Sequence, residues 1–356
     1  MNVPLLSVVT PFRNTARYLA ECIESVLAQS YTEFEYILSD NGSTDGSTEI
    51  AEEYARRDPR IRLIRQPRLL SQVQHYNRAL AGISGASKYC KIVQADDSIF
   101  PECLRLMVQA FEQSESIGLV SAYDLKRNVV RGSGFPYPGS LFSGKEIVRA
   151  YLRTGLFVFG SPTTVMYRAS LVREQEDFYE DELLHEDTEK CIQILECWDF
   201  GFVHQVLSFL RTENESISSS AYLFCPDNLD YYIVVKRYSG AFFDSGEAAA
   251  LVRGAEQDYY RALARKTLKF PKKAFWSYHQ KGLKTIGESI DWRCLTFQTA
   301  LELVLILANP ASTIARTFRF VQKRFGRERE SALWPSPATQ VASALKSEDR
   351  NRSVHI

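Results

Sequence analysis

Apolar runs and helical stripes alternate along the first half of the chain. Residues 5–10 form a short, β-branched run of the kind that makes a buried strand, and Leu19, Ile23, Val26 and Leu27 then recur at helical spacing from a start near Thr15. A second strand follows over 34–39. Asp45 or Ser47 can cap a helix with Ile50, Ala51 and Tyr54 on its inner face, and Asp58-Pro59 stops it. Strand 61–65, helix 73–80 and strand 89–93 continue the alternation, and Pro101 opens a helix through Leu104, Met107, Val108 and Phe111. Strands separated by helical crossovers predict an α/β fold with a mostly parallel, Rossmann-like sheet, right-handed connections and helices on its faces.

After a strand over 117–121, the turn-rich segment 131–139 interrupts the order and reads as a mobile loop over a site. A strand over 163–167, a helix over 187–198 and a strand pair within 202–210 complete this part. Beyond about 226 the segments turn aromatic-rich, basic and helical, and from about 331 Pro335, Pro337 and many small and charged residues predict a disordered tail. The division expected is a domain over 1–225, with a nucleotide-binding half at 1–98 and an acceptor half at 99–225. A basic helical region over 226–330 and a tail over 331–356 follow it.

Composition adds one asymmetry. The chain of 356 residues carries 43 basic and 43 acidic side chains, so global charge names no partner, yet residues 253–330 hold 16 Lys and Arg against 7 Asp and Glu. Within that stretch, 300–308 is apolar but too short to span about 30 Å of hydrocarbon. Ile314, Phe318, Val321 and Phe325 then share one helical face while Arg316, Arg319 and Lys323 share another. Such a helix can lie in an anionic membrane interface, or pack on the domain with its basic face in solvent. Seven scattered cysteines, with no Cys-x-x-Cys, argue against a zinc site or a disulfide framework and fit a reducing compartment. No signal peptide is read at the N-terminus, so the sequon at Asn214 is taken as a chance match. His75, His185, His204 and His279 never pair at metal spacing.

The candidate chemistry lies at strand ends. Asp96 and Asp97 close the run 89–95, and Asp40 precedes the loop Asn41-Gly42-Ser43-Thr44-Asp45-Gly46-Ser47. Paired carboxylates at the carboxyl edge of a sheet supply the oxygens a hard divalent cation takes, and a diphosphate needs such a cation to approach carboxylates. An Asp-Asp pair also occurs as a solvated turn. A dinucleotide oxidoreductase is disfavoured, because the first strand leads into Pro11-Phe12-Arg13-Asn14 without a Gly-x-Gly-x-x-Gly turn.

In order, Val9 to Asn14, Ser39 to Ser47, Ala95-Asp96-Asp97 and His185-Glu186-Asp187 resemble family 2 glycosyltransferases of the GT-A fold. The resemblance covers residues 5 to about 218. It implies inverting transfer from a nucleoside diphosphate sugar, leaning to UDP, onto a hydroxyl of a glycan or lipid-linked acceptor, with magnesium or manganese. Carried over residue by residue, it places Pro11, Phe12, Asn14, Asp40 and Gly42 around the nucleotide, Asn77 at its border, Asp96 on the ribose and Asp97 on the metal. It makes Asp187 the general base and Arg211 a partner of the leaving diphosphate. Gln94, Arg13 and Glu213 depart from the family pattern, where many relatives carry an acid, an aromatic residue and a histidine. A nucleotidyltransferase or a non-catalytic nucleotide-sugar-binding module of the same fold is the alternative. The implied location is cytoplasmic, with peripheral association on the inner membrane face left open.

Overall fold

β1 (Leu6–Phe12) is buried along its whole length, which requires cover on both faces of the sheet. In the computed structural model, which describes residues 5–132, 134–155, 159–180, 186–211, 224, 226–269 and 271–308, β1 pairs in parallel with β2 (Phe34–Asp40) and with β4 (Tyr89–Ile92). β3 (Ile61–Arg65) pairs in parallel on the outer side of β2. Helices α1 (Ala16–Leu27), α2 (Ser47–Arg57) and α3 (Gln72–Leu80) make the crossovers, and Leu19, Cys22, Ile23 and Val26 of α1 pack onto the sheet in the main apolar core. Entry to α3 is fixed by a capping box between Ser71 and Gln74.

The second half is less regular. The sheet order is β3-β2-β1-β4-β9-β6-β10-β5, with β5 (Ser98–Ile99), β6 (Ile117–Lys126), β9 (Met166–Arg168) and β10 (Asp199–Leu210). β9 runs antiparallel to both β4 and β6, while β6 and β10 are parallel. The parallel expectation therefore holds for the four-stranded first half, and the whole sheet is mixed. β10 is one strand rather than a pair, with register shifts against β6 after Val203 and Val206. β9 begins at Met166 instead of Thr163, because Thr164 and Val165 donate their amides to the Ser161 carbonyl in a turn.

The turn-rich segment flanks the sheet. β7 (Val129–Arg131) folds back on β6, β8 (Leu141–Phe142) pairs with β10, and between them Phe135 stacks on Phe202 with ring centroids 4.2 Å apart. Phe202 donates its amide to the Ser140 carbonyl. These contacts anchor the segment along β10, in place of the loop over the site that its glycines and prolines suggested.

α4 (Cys103–Phe111), α5 (Gly144–Thr154), α6 (Ala169–Arg173) and α7 (Glu186–Leu195) complete the layers. The C-terminal helices are α8 (Pro226–Phe242), α9 (Ser245–Thr267), α10 (Lys273–Lys284) and α11 (Trp292–Ala308). The chain divides into two compact units, Met1–Trp292 and Arg293–Ile356, so the boundary lies well beyond the expected 225/226. The physical reason is packing: Tyr231 of α8 donates to the Leu152 carbonyl of α5 (2.9 Å), and Arg237 of α8 pairs with Glu189 of α7 (2.6 Å). His185, Glu213, the Asn214 sequon, Cys225, Arg316, Arg319, Lys323 and the tail over 331–356 lie outside the described residues, and the six described cysteines are free thiols.

His75 of α3 is buried, with Nε2 3.0 Å from the Ser39 hydroxyl that Gln66 also contacts. Burial lowers its pKa to about 4, against the opposing influence of Ser39 and Asp40. An unfolded chain binds this proton near pH 6.5 and the folded one only near 4, so stability falls as the pH drops through that window. His279, buried against Phe275 and hydrogen-bonded by Tyr259, adds a similar dependence. His75→Gln, which keeps a polar partner for Ser39 but does not titrate, should flatten the acid limb by an amount on the order of 1–3 kcal/mol. Urea midpoints measured from pH 7 to 4 check this, and an unchanged slope refutes it.

Candidate functional site

The connection after β3 crosses to the far side of β1, so strand order reverses between β1 and β4. Open α/β sheets bind ligands in the crevice beyond the carboxyl ends of the strands at such a point. β1 ends there at Phe12, β2 at Asp40, and β4 runs on into Gln94-Ala95-Asp96-Asp97.

Asp40 organises the loop that follows it. Its carboxylate is buried, with Oδ1 accepting from the Ser43 amide (2.9 Å) and Oδ2 from the Thr48 hydroxyl (2.7 Å). Each oxygen retains a further lone pair. Gly42 turns at φ 72°, a backbone state open to glycine, and an added Cβ would meet nothing within 4 Å; conformation, not crowding, selects it. Asn14, itself at φ 51°, accepts from the Thr44 amide through Oδ1 (2.8 Å) and donates its own amide to Ser43 Oγ (3.1 Å). Asp45 accepts from the amides of Ala16 and Ser47, which locks the starts of α1 and α2 together. Asn41, which sequence patterning passed over, clamps Leu70 with its amide in both directions at 3.0 Å.

Three residues expected at the nucleotide are buried. The Phe12 side chain lies in the apolar core, and Pro11 is buried. Asn77 is buried and holds the chain near Tyr179, donating to its carbonyl (2.7 Å) and accepting from its amide (2.8 Å). Its position on the inner side of α3 brings it to that segment.

At the end of β4 the two aspartates part. Asp96 is half-buried at the edge, whereas Asp97 is only 5% exposed. Asp97 Oδ2 accepts from the Thr163 hydroxyl (2.6 Å) and Oδ1 from the Arg211 amide (3.0 Å). Burial, and after it the charge of Asp96, push the Asp97 pKa up to about 7, while those two hydrogen bonds pull it down. Thr163 Oγ1 also accepts from the Gln94 amide (3.1 Å), and its carbonyl accepts from Lys91 Nζ (2.6 Å). Lys91 is fully buried in β4, and burial lowers its pKa. Thr163 carries no motif, but a lysine inside an apolar strand is a visible signal that a buried acceptor awaits it.

Arg211 stands behind this edge. Its Nε donates to the Asp96 carbonyl (3.0 Å), its guanidinium pairs with Glu21 (2.7 Å), and it lies 4.6 Å from the Tyr18 ring centroid. Asp187 is half-buried in the first turn of α7, where Oδ1 accepts from the Thr188 amide (2.8 Å). Burial raises the pKa of the Tyr76 phenol, and the charges of Glu186, Asp96 and Asp97 all add to that shift. The strand end and the start of α7 therefore flank one tyrosine, which also accepts from Gln94 Nε2 (3.1 Å).

Among the described residues no three His, Cys, Asp or Glu side chains cluster as a cation cage. At the end of β4 the carboxylates of the half-buried Asp96 and the buried Asp97 stand next to one another in the chain. That donor set fits magnesium or manganese, which are commonly held by one or two carboxylates together with substrate phosphates and water.

Residues 7–175 match the family model described as glycosyl transferase family 2. Glycosyltransferase GlyG of Streptococcus pneumoniae is 34% identical over 119 residues, covering 33% of this chain and 39% of that protein, so the chain spans well under two thirds of this relative. S. aureus TarS 1-349 in complex with UDP-GlcNAc superposes with a TM-score of 0.55 at 18% identity, over 72% of this chain and 73% of that one. Mannosyltransferase PcManGT from Pyrobaculum calidifontis, in complex with GDP-Man and Mn2+, gives 0.53 at 14%, over 88% and 83%. These structures share the fold. The segment 7–175 thus belongs to glycosyl transferase family 2, and the chain that carries it has the GT-A fold.

Proposed function

We propose that the chain transfers a sugar, with inversion, from a UDP-sugar to an acceptor hydroxyl. One observation carries this: Asp40 and Asp96 stand at the carboxyl ends of the strands on either side of β1, and Glu186, beside Asp187 in the first turn of α7, acts on the same Tyr76 as Asp96. In the reaction the acceptor oxygen attacks the anomeric carbon from the face opposite the nucleotide. The new C–O bond forms as the bond to the diphosphate breaks, and Asp187 takes the acceptor's proton. The Asp40 loop holds the nucleoside, and Asp96 holds the cation. A bound magnesium or manganese would neutralise charge on the leaving diphosphate. The structure of TarS with UDP-GlcNAc supports the uridine choice, and PcManGT with Mn2+ supports the metal.

This reading differs from the one the resemblance implied, which put Asp96 on the ribose and Asp97 on the metal. Asp97 is the more buried of the two and accepts from Thr163 and Arg211, which assigns it to bracing the edge and the half-buried Asp96 to the cation. Arg211, whose guanidinium is taken up by the Asp96 carbonyl and Glu21, acts by holding that edge.

The acceptor we assign is a glycan or lipid-linked glycan at an anionic membrane surface. No helix among the described residues is long and apolar enough to cross a membrane. α11 nonetheless exposes Phe297, Leu301, Val304 and Leu307, and a basic stretch follows it in sequence. Exposed apolar side chains next to clustered Lys and Arg suit an anionic interface.

The native chain should gain about 2.7 kcal/mol of apparent stability from UDP and manganese together at a hundredfold excess over Kd. Asp96→Asn should lose the manganese-dependent part, and thermal shifts with UDP alone, manganese alone and both measure it. Retention of the full metal effect in that variant rules out Asp96 as the ligand. Asp187→Asn should bind UDP normally and turn over about a hundredfold more slowly or worse. Native turnover in that variant removes the base assignment. The full chain should sediment with vesicles containing anionic lipid at low salt and leave them as salt rises; failure to sediment ends the membrane assignment.

A further inference from the structure

α7 is held from two sides. Its first turn carries Asp187, and Glu189 follows two residues later, about 200° around the helix axis at 100° per residue. Glu189 is 3% exposed, and its carboxylate meets α8. Oε2 accepts from Arg237 Nη1 (2.6 Å) and from the Tyr238 hydroxyl (3.0 Å). The clamp is itself tied down. Arg237 Nη2 donates to the Thr285 carbonyl (3.4 Å) after α10, and Gln193, one turn along α7, donates to Tyr238 (3.3 Å).

We infer that Arg237 and Tyr238 of α8 are positioning residues for the reaction, setting the rotation of α7 through Glu189 and so the place of Asp187. The inference rests on the base role given to Asp187 above. The argument is geometric. A rotation of α7 by roughly 25° moves each Cα by about 1 Å, given a Cα radius near 2.3 Å. A misplacement of that size can slow an oriented reaction by about a hundredfold. A buried carboxylate held by a charged and a neutral donor resists such a rotation. Burial raises the Glu189 pKa while Arg237 and Tyr238 oppose that shift, which shows where the compensation for a buried acid is found. α8 thus completes the catalytic unit, in keeping with a first compact unit that runs to Trp292.

The test is a cycle of four chains: native, Arg237→Gln with Glu189→Gln, Asp187→Asn, and all three substitutions together. Removing both charges leaves no uncompensated ion buried, so the doubly substituted chain should keep its fold and a Tm near native. Turnover is read as UDP release, with water as acceptor, from whichever of UDP-N-acetylglucosamine, UDP-glucose and UDP-galactose the native chain consumes fastest. The neutralised pair should lower kcat about tenfold or more and leave the donor KM within about twofold. In the Asp187→Asn background the same pair should change kcat by less than about twofold, because coupled residues are not additive. An undiminished kcat in the neutralised pair overturns the inference. So does a full, multiplicative loss in the Asp187→Asn background, which would mark the pair as general support and leave the base assignment standing. Native turnover in Asp187→Asn alone overturns the base assignment, and the clamp with it.

Discussion

Asp97 closes β4 with one carboxylate oxygen on the Thr163 hydroxyl and the other on the Arg211 amide, and it does so almost wholly out of water. Those two bonds join segments 66 and 114 residues away along the chain. A buried carboxylate without such donors would be strongly unfavourable. The need to satisfy Asp97 therefore dictates where the segment before β9 and the end of β10 must lie. Thr163, in turn, hands its carbonyl to Lys91, so a second buried ionisable group is satisfied by the same turn. With these groups matched, Asp96 is left at the rim, its own carbonyl fixed by Arg211.

The same logic runs through the rest of the site. Asp40, Asn14, Asn41 and Asp45 use their side chains mainly on backbone amides and hydroxyls of neighbouring loops. Such bonds give the loop over 41–47 a defined shape before any ligand arrives, which reduces the ordering that binding must impose. Asn77 does for the chain around Tyr179 what Asn41 does for Leu70. Polar residues that look like ligand contacts in a motif are, in large part, the frame on which the contacts stand.

The helices beyond 226 belong to this frame as well. Polar and ionic contacts at Leu152, Glu189 and Gln193 join α8 to both α5 and α7, and Glu288 after α10 accepts from Tyr232 and Lys236 of α8. Position along the chain suggested an appendage; the contacts make α8 a wall of the catalytic unit.

Local patterning was enough for the first half of the fold. Alternation of apolar runs and helical stripes located β1 to β4 and the helices between them to within a few residues, because a doubly covered parallel strand must be apolar along its length. It also placed Asp40, Asp96 and Asp187 at element ends, since carboxylates end apolar runs and begin helices. Which neighbour of the Asp96-Asp97 pair meets solvent was not legible, for the answer depends on Thr163 and Arg211. That Phe12 and Asn77 are buried was not legible for the same reason: a side chain's direction at a strand end or on a short helix is set by what packs there. The unit boundary at 292/293 and the clamp on Glu189 follow from partners about 50 residues apart. Sequence determined the elements and their chemistry; tertiary contacts decided which groups face the ligand, because burial forces each polar atom to find a partner wherever the fold supplies one.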